Sequence, residues 1–263
     1  MKMECFACLD EVTCTRNIDT LLQLGSLIDK MQWYNHDIYA LIANDRLLAL
    51  FQNADDDYSR YWRTLVKKIK FDYSELSEQD LEEKFEENSY VNQVCFCGKS
   101  VYLSIRFSQL YIDSIEKLDD VHTYYLCKSE SFNSLYDDMA IYFDKLFFSG
   151  YYNWKPFQIK DIPEVVNAVS FLNSKGKSIF QRVKDSNQAI REINTSFTCT
   201  GSRNVVKRQV EYNGRMLNVV CNPHIKIEKK NSDKRIYFAW NTSEIDKIII
   251  FYIGSHQGMA NLK

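Results

Sequence analysis

Proline and glycine are scarce in this chain, three and eight among 263 residues. That scarcity excludes long flexible linkers and Gly/Pro-rich low-complexity architecture. Apolar runs are short as well. None approaches the roughly 20 residues that cross a bilayer, and the opening "MKMECFACLDEVTC" has no apolar stretch of secretory-signal length. A cytoplasmic protein without membrane contact is therefore expected. Familiar catalytic signatures are missing too: there is no H-E-x-x-H, no Walker-type glycine loop and no G-x-S-x-G elbow. What is present is the composition of a folded chain, 45% hydrophobic and 26% charged, long enough for one large domain or two ordinary ones.

Eight cysteines in a chain of this size and setting read as reduced thiols rather than a disulfide framework. Their only clusters are Cys5-x-x-Cys8 with Cys14, and Cys95-x-Cys97. Zinc sites usually show two close pairs spaced by two residues or more, and the second cluster is one residue short. No metal site and no cofactor are expected; a zinc enzyme built on Cys5, Cys8, Cys95 and Cys97 is the last of the alternatives.

The net charge of −2 hides a strong division. Residues 1–154 carry 15 Lys+Arg against 26 Asp+Glu, a balance of −11, and residues 155–263 carry 18 against 9, a balance of +9. Such asymmetry points to two units with different partners, the basic one suited to phosphates. The boundary is placed at 152/153, where "FFSGYYNWKPFQIKDIPEV" changes composition.

The first part reads as an acidic, mostly helical regulatory or sensing domain. "NIDTLLQLGSLIDKM" sets Leu21, Leu24, Ile28 and Met31 at helical steps behind Asn17 or Asp19 as cap. "DIYALIANDRLLALF", "YSRYWRTLVKKI", "LSEQDLEEKFEEN" and "SFNSLYDDMAIYFDKLFF" continue as helix, while "YVNQVCFCGKSVYLSIRF" reads as a hairpin. The second part is expected to be α+β. "PFQIK" is a strand candidate, followed by a helix with Asp161 as cap, Pro163 in its first turn and Glu164 behind it. A second helix carries Ile179, Val183, Ile190 and Ile193. Strand-like segments then follow at 204–212, 215–221, 224–228, 234–240 and 246–253, the first two joined by Asn213-Gly214, a strong two-residue hairpin signal. Alternation of Ile236, Phe238 and Trp240 with Arg235 and Tyr237 predicts one wet face, whereas "IIIFYI" has none and should be central.

This β-α-α-β-β-β order with an antiparallel sheet, together with "KRIYF" and "YIGSH" near the end, resembles the RelE/HigB/YoeB-like toxins of bacterial toxin–antitoxin pairs. There an arginine opens the penultimate core strand, here Arg235, and the last strand ends near a histidine or tyrosine, here His256. The resemblance covers residues 155–263. It implies a RelE-like fold and metal-independent cleavage of RNA, often messenger RNA on a ribosome, with an antitoxin or other defence-system protein as partner. Two features depart from the family: a stretch of about 150 residues with an acidic balance precedes the domain, and a glycine–serine step precedes His256. A related branch keeps the fold but binds a protein target without cleaving RNA.

Cleavage of this kind needs a base for the 2′-hydroxyl, an acid for the leaving 5′-oxygen and fixed positive charge at the phosphate. His256 suits proton transfer near neutrality, with Arg235 and Tyr237 on one side of their strand. "NPHIKIE" adds His224, Lys226 and Glu228 at alternate positions, a single polar row. "RNVVKRQ" offers Arg203, Lys207 and Arg208 to the RNA backbone. Each residue also has a plainer reading: a polar turn at His256, a surface charge at Arg235, a strand-start residue at His224, the solvent side of a strand at Lys226 and Glu228, and an exposed turn at 203–208. The favoured expectation is a toxin-like endoribonuclease under control of the acidic domain. The alternative is a non-catalytic adaptor that binds nucleic acid or protein.

Overall fold

A computed structural model describes residues 1–9, 16–42, 56–71, 78–86, 93–98, 105–183, 185–201, 207–221, 223–228, 232–240 and 245–262. They divide into two compact units, Met1–Tyr124 and Tyr125–Lys263.

The first unit is mixed α/β rather than mostly helical. Its elements are β1 (Met3–Cys8), α1 (Ile18–Trp33), β2 (Asp37–Leu41), α2 (Asp57–Val66), α3 (Glu78–Glu86), β3 (Gln93–Gly98), β4 (Tyr111–Ile112) and α4 (Ile115–Cys127), which crosses the division. The four strands form one sheet in the order β2-β1-β3-β4, parallel throughout. "DIYAL" is therefore a strand, and the expected hairpin at 90–107 is, in its described part, the central strand β3. Strands of parallel sheets are covered on both faces and lose the period-two alternation that identifies a strand in sequence. The helix read in "NIDTLLQLGSLIDKM" is present as α1. Asn17, not Asp19, caps α1, its side chain accepting from the Asp19 and Thr20 N–H groups at 2.9 and 3.1 Å, and Leu21, Leu24, Ile28 and Met31 are buried.

Two polar pairs lie inside this unit. His36 and His122 meet at 2.9 Å between their Nε2 atoms, and both are buried. His36 Nδ1 accepts the Met3 N–H at 3.3 Å, so its proton sits on Nε2 and is donated to His122. Cys5 and Cys97, fully buried on neighbouring strands, bring their sulfurs to 3.9 Å. Hydrogen bonding with Cys95, then burial, holds the Cys5 thiol well above its usual range, and its contact with Cys5 does the same for Cys97. These are packed, protonated thiols of the inert kind. Among the described residues no three His, Cys, Asp or Glu side chains are arranged to hold a metal ion; Cys14 lies outside those residues.

The second unit begins at 125, not 153, because α5 (Leu135–Tyr142) leads into β5 (Leu146–Phe148), which pairs with the last strand. After β5 come a 3-10 turn at Ile159–Asp161, α6 (Ile162–Phe171), a π turn (Leu172–Gly176), α7 (Lys177–Arg182) and α8 (Ser186–Ile193). Then follow β6 (Cys199–Gly201), β7 (Lys207–Tyr212), β8 (Arg215–Val220), β9 (Pro223–Lys226), β10 (Lys234–Ala239), β11 (Ile248–Ser255) and α9 (His256–Asn261). The sheet order is β5-β11-β10-β9-β6. It is antiparallel except for β5, which runs parallel to β11. "PFQIK" is not a strand; it enters the 3-10 turn, and its place is taken by β5 at the end of a segment read as helix. Helix α5 stops at Tyr142, so the segment read as one helix crosses a helix-to-strand change.

The two faces of this sheet are covered differently. On one, Phe180 of α7 stacks on Trp240 at 4.2 Å and meets Phe238 at 6.2 Å, and Gly176 makes room for Ile248, which any side chain there would strike. On the other lies the β7–β8 hairpin. Asn213 and Gly214 turn it with φ of 50° and 75°, the positive pair that a two-residue hairpin requires. Its Val210, Leu217 and Val219 pack with Tyr237, Ala239, Ile249, Phe251 and Tyr252. A bulge between Tyr237 and Phe238 puts both Phe251 and Tyr252 on this side. The predicted wet face of β10 is thus covered, and Tyr237 is only 1% exposed. The expectation that "IIIFYI" is central holds, since β11 lies between β5 and β10 and is buried along seven of its eight residues.

Asp161 makes no cap contact with α6. Its carboxylate accepts the Gln158 N–H at 2.7 Å and the Lys234 ammonium at 2.6 Å. Lys234 also reaches Glu228 at 2.8 Å, which Lys160 approaches at 3.3 Å. Burial works against the ammonium, but bonds to Asp161 and Glu228 more than offset it and hold Lys234 above its usual range. Lys234→Met should destabilise this unit by about 3–5 kcal/mol, because the buried Asp161 loses its counter-charge. Urea unfolding checks this: Asp161→Leu added to Lys234→Met should recover part of the loss, and a single variant as stable as the parent would refute it.

Candidate functional site

Strand pairing assembles the site from segments far apart in sequence. His224 of β9 pairs with Tyr237 of β10, which pairs in turn with Tyr252 of β11, and Thr200 of β6 pairs with His224. One rung of the sheet therefore reads Thr200, His224, Tyr237, Tyr252. Two residues along, the next rung on the same face reads Lys226, Arg235, Gly254. Residues paired in register or two apart along a strand share a face, so both rungs look toward the same side, at the end where β11 leaves the sheet.

The chain turns there from strand into α9. Ser255 is the helix cap, its hydroxyl accepting the Gly258 N–H at 2.9 Å. Gly254 and Gly258 both lie against the hydroxyl end of Tyr252, where any side chain would overlap the ring. The glycine–serine step is thereby explained: the glycine admits the tyrosine, and the serine starts the helix. His256 is the first helical residue. Its N–H is held by Asp233, at 3.0 Å to the carbonyl and 3.1 Å to Oδ1. The exposed ring turns its Nδ1 to the Tyr237 hydroxyl at 2.5 Å. That hydroxyl can donate to a neutral imidazole or accept from a charged one, so the contact suits both states. Burial raises Tyr237 to about 12, which keeps it a phenol.

His224 is buried beside Tyr237, ring centroids 5.0 Å apart, with Nε2 at 2.9 Å from the Thr200 hydroxyl. Arg235 is half-buried. Its Nη1 donates to the carbonyls of Ser232 and, at 2.9 Å, of Lys234. Its buried Nε has no acceptor among the described residues. Burial lowers the guanidinium from its usual range, with Tyr237 and Asp233 opposing.

The structure thus brings together five of the predicted residues: His224, Lys226, Arg235, Tyr237 and His256. Glu228 is not in their row. Strand β9 ends at Lys226, and Glu228 has φ of 63°, binding Lys234 and Lys160 instead. Those contacts, Lys234 first, hold it below the usual carboxylate range. Lys207 and Arg208 belong to the hairpin. Lys207 is exposed, while Arg208 donates to the Met259 carbonyl at 3.4 Å; Arg203 lies outside the described residues. Thr200, Tyr252 and Asn153 escape sequence reasoning. The Asn153 side chain acts on the Tyr252 hydroxyl, partly offsetting the upward push of burial. Only the spacing of Tyr252 two residues before Gly254 could have pointed to any of them.

With the division at 124/125, the first unit carries 13 Lys+Arg against 22 Asp+Glu, a balance of −9, and the second 20 against 13, a balance of +7. The charge asymmetry survives the new boundary. No family model, curated protein or solved structure matches this chain, and no helix among the described residues is long and apolar enough to cross a membrane.

Proposed function

We propose that the second unit is a RelE-like endoribonuclease of a toxin–antitoxin or antiphage setting, cutting RNA without a metal. The observation that carries this reading is the convergence of His224, Tyr237 and two cations on one face at one end of the sheet with His256 at the exit of its strand. In this reading the 2′-hydroxyl oxygen attacks its neighbouring phosphorus, the bond to the 5′-oxygen breaks, and a 2′,3′-cyclic phosphate and a 5′-hydroxyl result. His256 gives or takes the proton from its exposed ring, and Tyr237 holds that ring in place. His224 is the second proton-transfer group. Arg235 and Lys226 stand beside the phosphate as negative charge grows on it. The Arg235 Nε, which has no acceptor among the described residues, supports an anion here, since a buried donor without an acceptor calls for an explanation. RNA, free or ribosome-bound, is the substrate, and the acidic first unit is the control or sensing element, acting as a built-in counterpart of an antitoxin.

A second reading, a non-catalytic adaptor for nucleic acid or protein, draws on the burial of Tyr237 and on Arg235 turning to backbone carbonyls. Expression of the chain in a host, with total RNA examined for new ends, separates the two. Under the nuclease reading the full chain, or a chain lacking residues 1–124, slows growth and creates 5′-hydroxyl ends. If neither creates such ends, the adaptor reading replaces it.

A further inference from the structure

The rung that holds Tyr237 and Tyr252 continues past β11 onto a segment outside the region that resembles the toxins. Beyond β5 the chain stays beside β11. Tyr152 bridges Ile253, the Ile253 N–H reaches the Tyr151 carbonyl at 3.3 Å, and the Asn153 N–H reaches the Ile253 carbonyl at 2.8 Å. Alternation then places Tyr151 and Asn153 on the site's face and Tyr152 on the opposite one. The side-chain contacts agree. Tyr151 packs on Phe251 at 5.7 Å, and the Asn153 side chain acts on the Tyr252 hydroxyl. Tyr152 instead stacks on Tyr136 at 4.4 Å. Tyr151 is 42% exposed although it is seated on the core. It is a fixed aromatic surface that faces solvent at the end of the Thr200–His224–Tyr237–Tyr252 rung.

We infer that Tyr151 is the stacking residue for an unpaired base next to the cut, and that the substrate is single-stranded RNA. The inference rests on the nuclease reading. In-line attack by a 2′-hydroxyl requires the nucleotides flanking the phosphate to leave helical stacking, and a flat edge-strand tyrosine replaces the lost base neighbour without reading its identity. Cations on the next rung, Arg235 and Lys226, hold the backbone while Tyr151 holds the base. A duplex keeps its bases stacked on each other and gains nothing from the ring.

The test uses the full chain with Tyr151→Ala, Tyr151→Phe and, on the opposite face, Tyr152→Ala. The probe is a short unstructured RNA carrying 2-aminopurine, and its blunt duplex is the competitor. Tyr151→Ala should raise Kd and KM for the single strand about tenfold, the usual scale for one lost base–aromatic stack, with kcat little changed. The parent, Tyr151→Phe and Tyr152→Ala should quench 2-aminopurine, and Tyr151→Ala should not. Two outcomes overturn the stacking role while the nuclease reading stands: quenching and KM unaltered in Tyr151→Ala, or a duplex cut as well as the single strand. If neither the parent chain nor a chain lacking residues 1–124 binds or cuts either RNA, the nuclease reading falls, and this inference with it.

Discussion

Replacing His256 with alanine should slow RNA cleavage about 10²- to 10⁴-fold, the range of a lost proton-transfer group, with RNA affinity little changed. The affinity should survive because Lys226 and Arg235, on the rung beside it, remain to bind phosphate. Ser255 and Asp233 fix the backbone at this position, so the substitution removes an exposed ring and leaves its support intact. Tyr237→Phe is the companion variant. It keeps the buried ring but deletes the hydroxyl that meets Nδ1 at 2.5 Å, and a loss nearer tenfold, the scale of one hydrogen bond, is expected. Because Tyr237 positions the imidazole, the loss should fall on kcat and leave KM in place, whereas a purely structural role would move both. Cleavage by His256→Ala at the parent rate would remove this residue from the mechanism. A defect confined to affinity would favour the adaptor.

The first unit should lose stability as pH falls from about 6.5 toward about 4. Burial, then the N-terminal amine, brings His36 down to about 4, whereas an imidazole in the unfolded chain titrates near 6.5. Burial first, with His36 beside it, also holds His122 well below its usual value. Above pH 6.5 both rings are neutral whether the unit is folded or not, so the stabilisation is fully present. Between the two values the unfolded chain binds protons that the folded chain refuses, and stability falls with pH. His36 alone accounts for about 3 kcal/mol over that window. Denaturant unfolding across pH 4 to 7, followed by hydrogen exchange in β1 and β2, measures it. Leucine at both positions should flatten the slope, whatever it does to stability at pH 7. A parent chain with no slope in that window would contradict the buried neutral pair.

Much of the second unit was legible because it is built from antiparallel neighbours. In β7 and β8 exposed and buried residues alternate, and Asn213-Gly214 supplies the turn that joins them. The "IIIFYI" run of β11 also declared itself an inner strand, and β11 delivers His256 at its end. The parallel sheet of the first unit left no such signature. Its strands pair across helices, and β1 and β3 are covered on both sides. Strand β5 was hidden for a related reason: three residues beside a helix carry too little periodicity to separate from it.

The sequence by itself determined the charge asymmetry, the run of strands from β7 to β11 and the residue types available at their ends, because composition and local periodicity are properties of neighbours along the chain. Which of those residues meet was decided only by tertiary structure. Glu228 left the row because one residue of positive φ carried it to Lys234. Tyr237 passed from the expected wet face to the core because the β7–β8 hairpin folds over β10. Tyr151 joined the site because residues 149–153 follow β11 past β5. Hydrogen-bond register between distant strands set each of these positions.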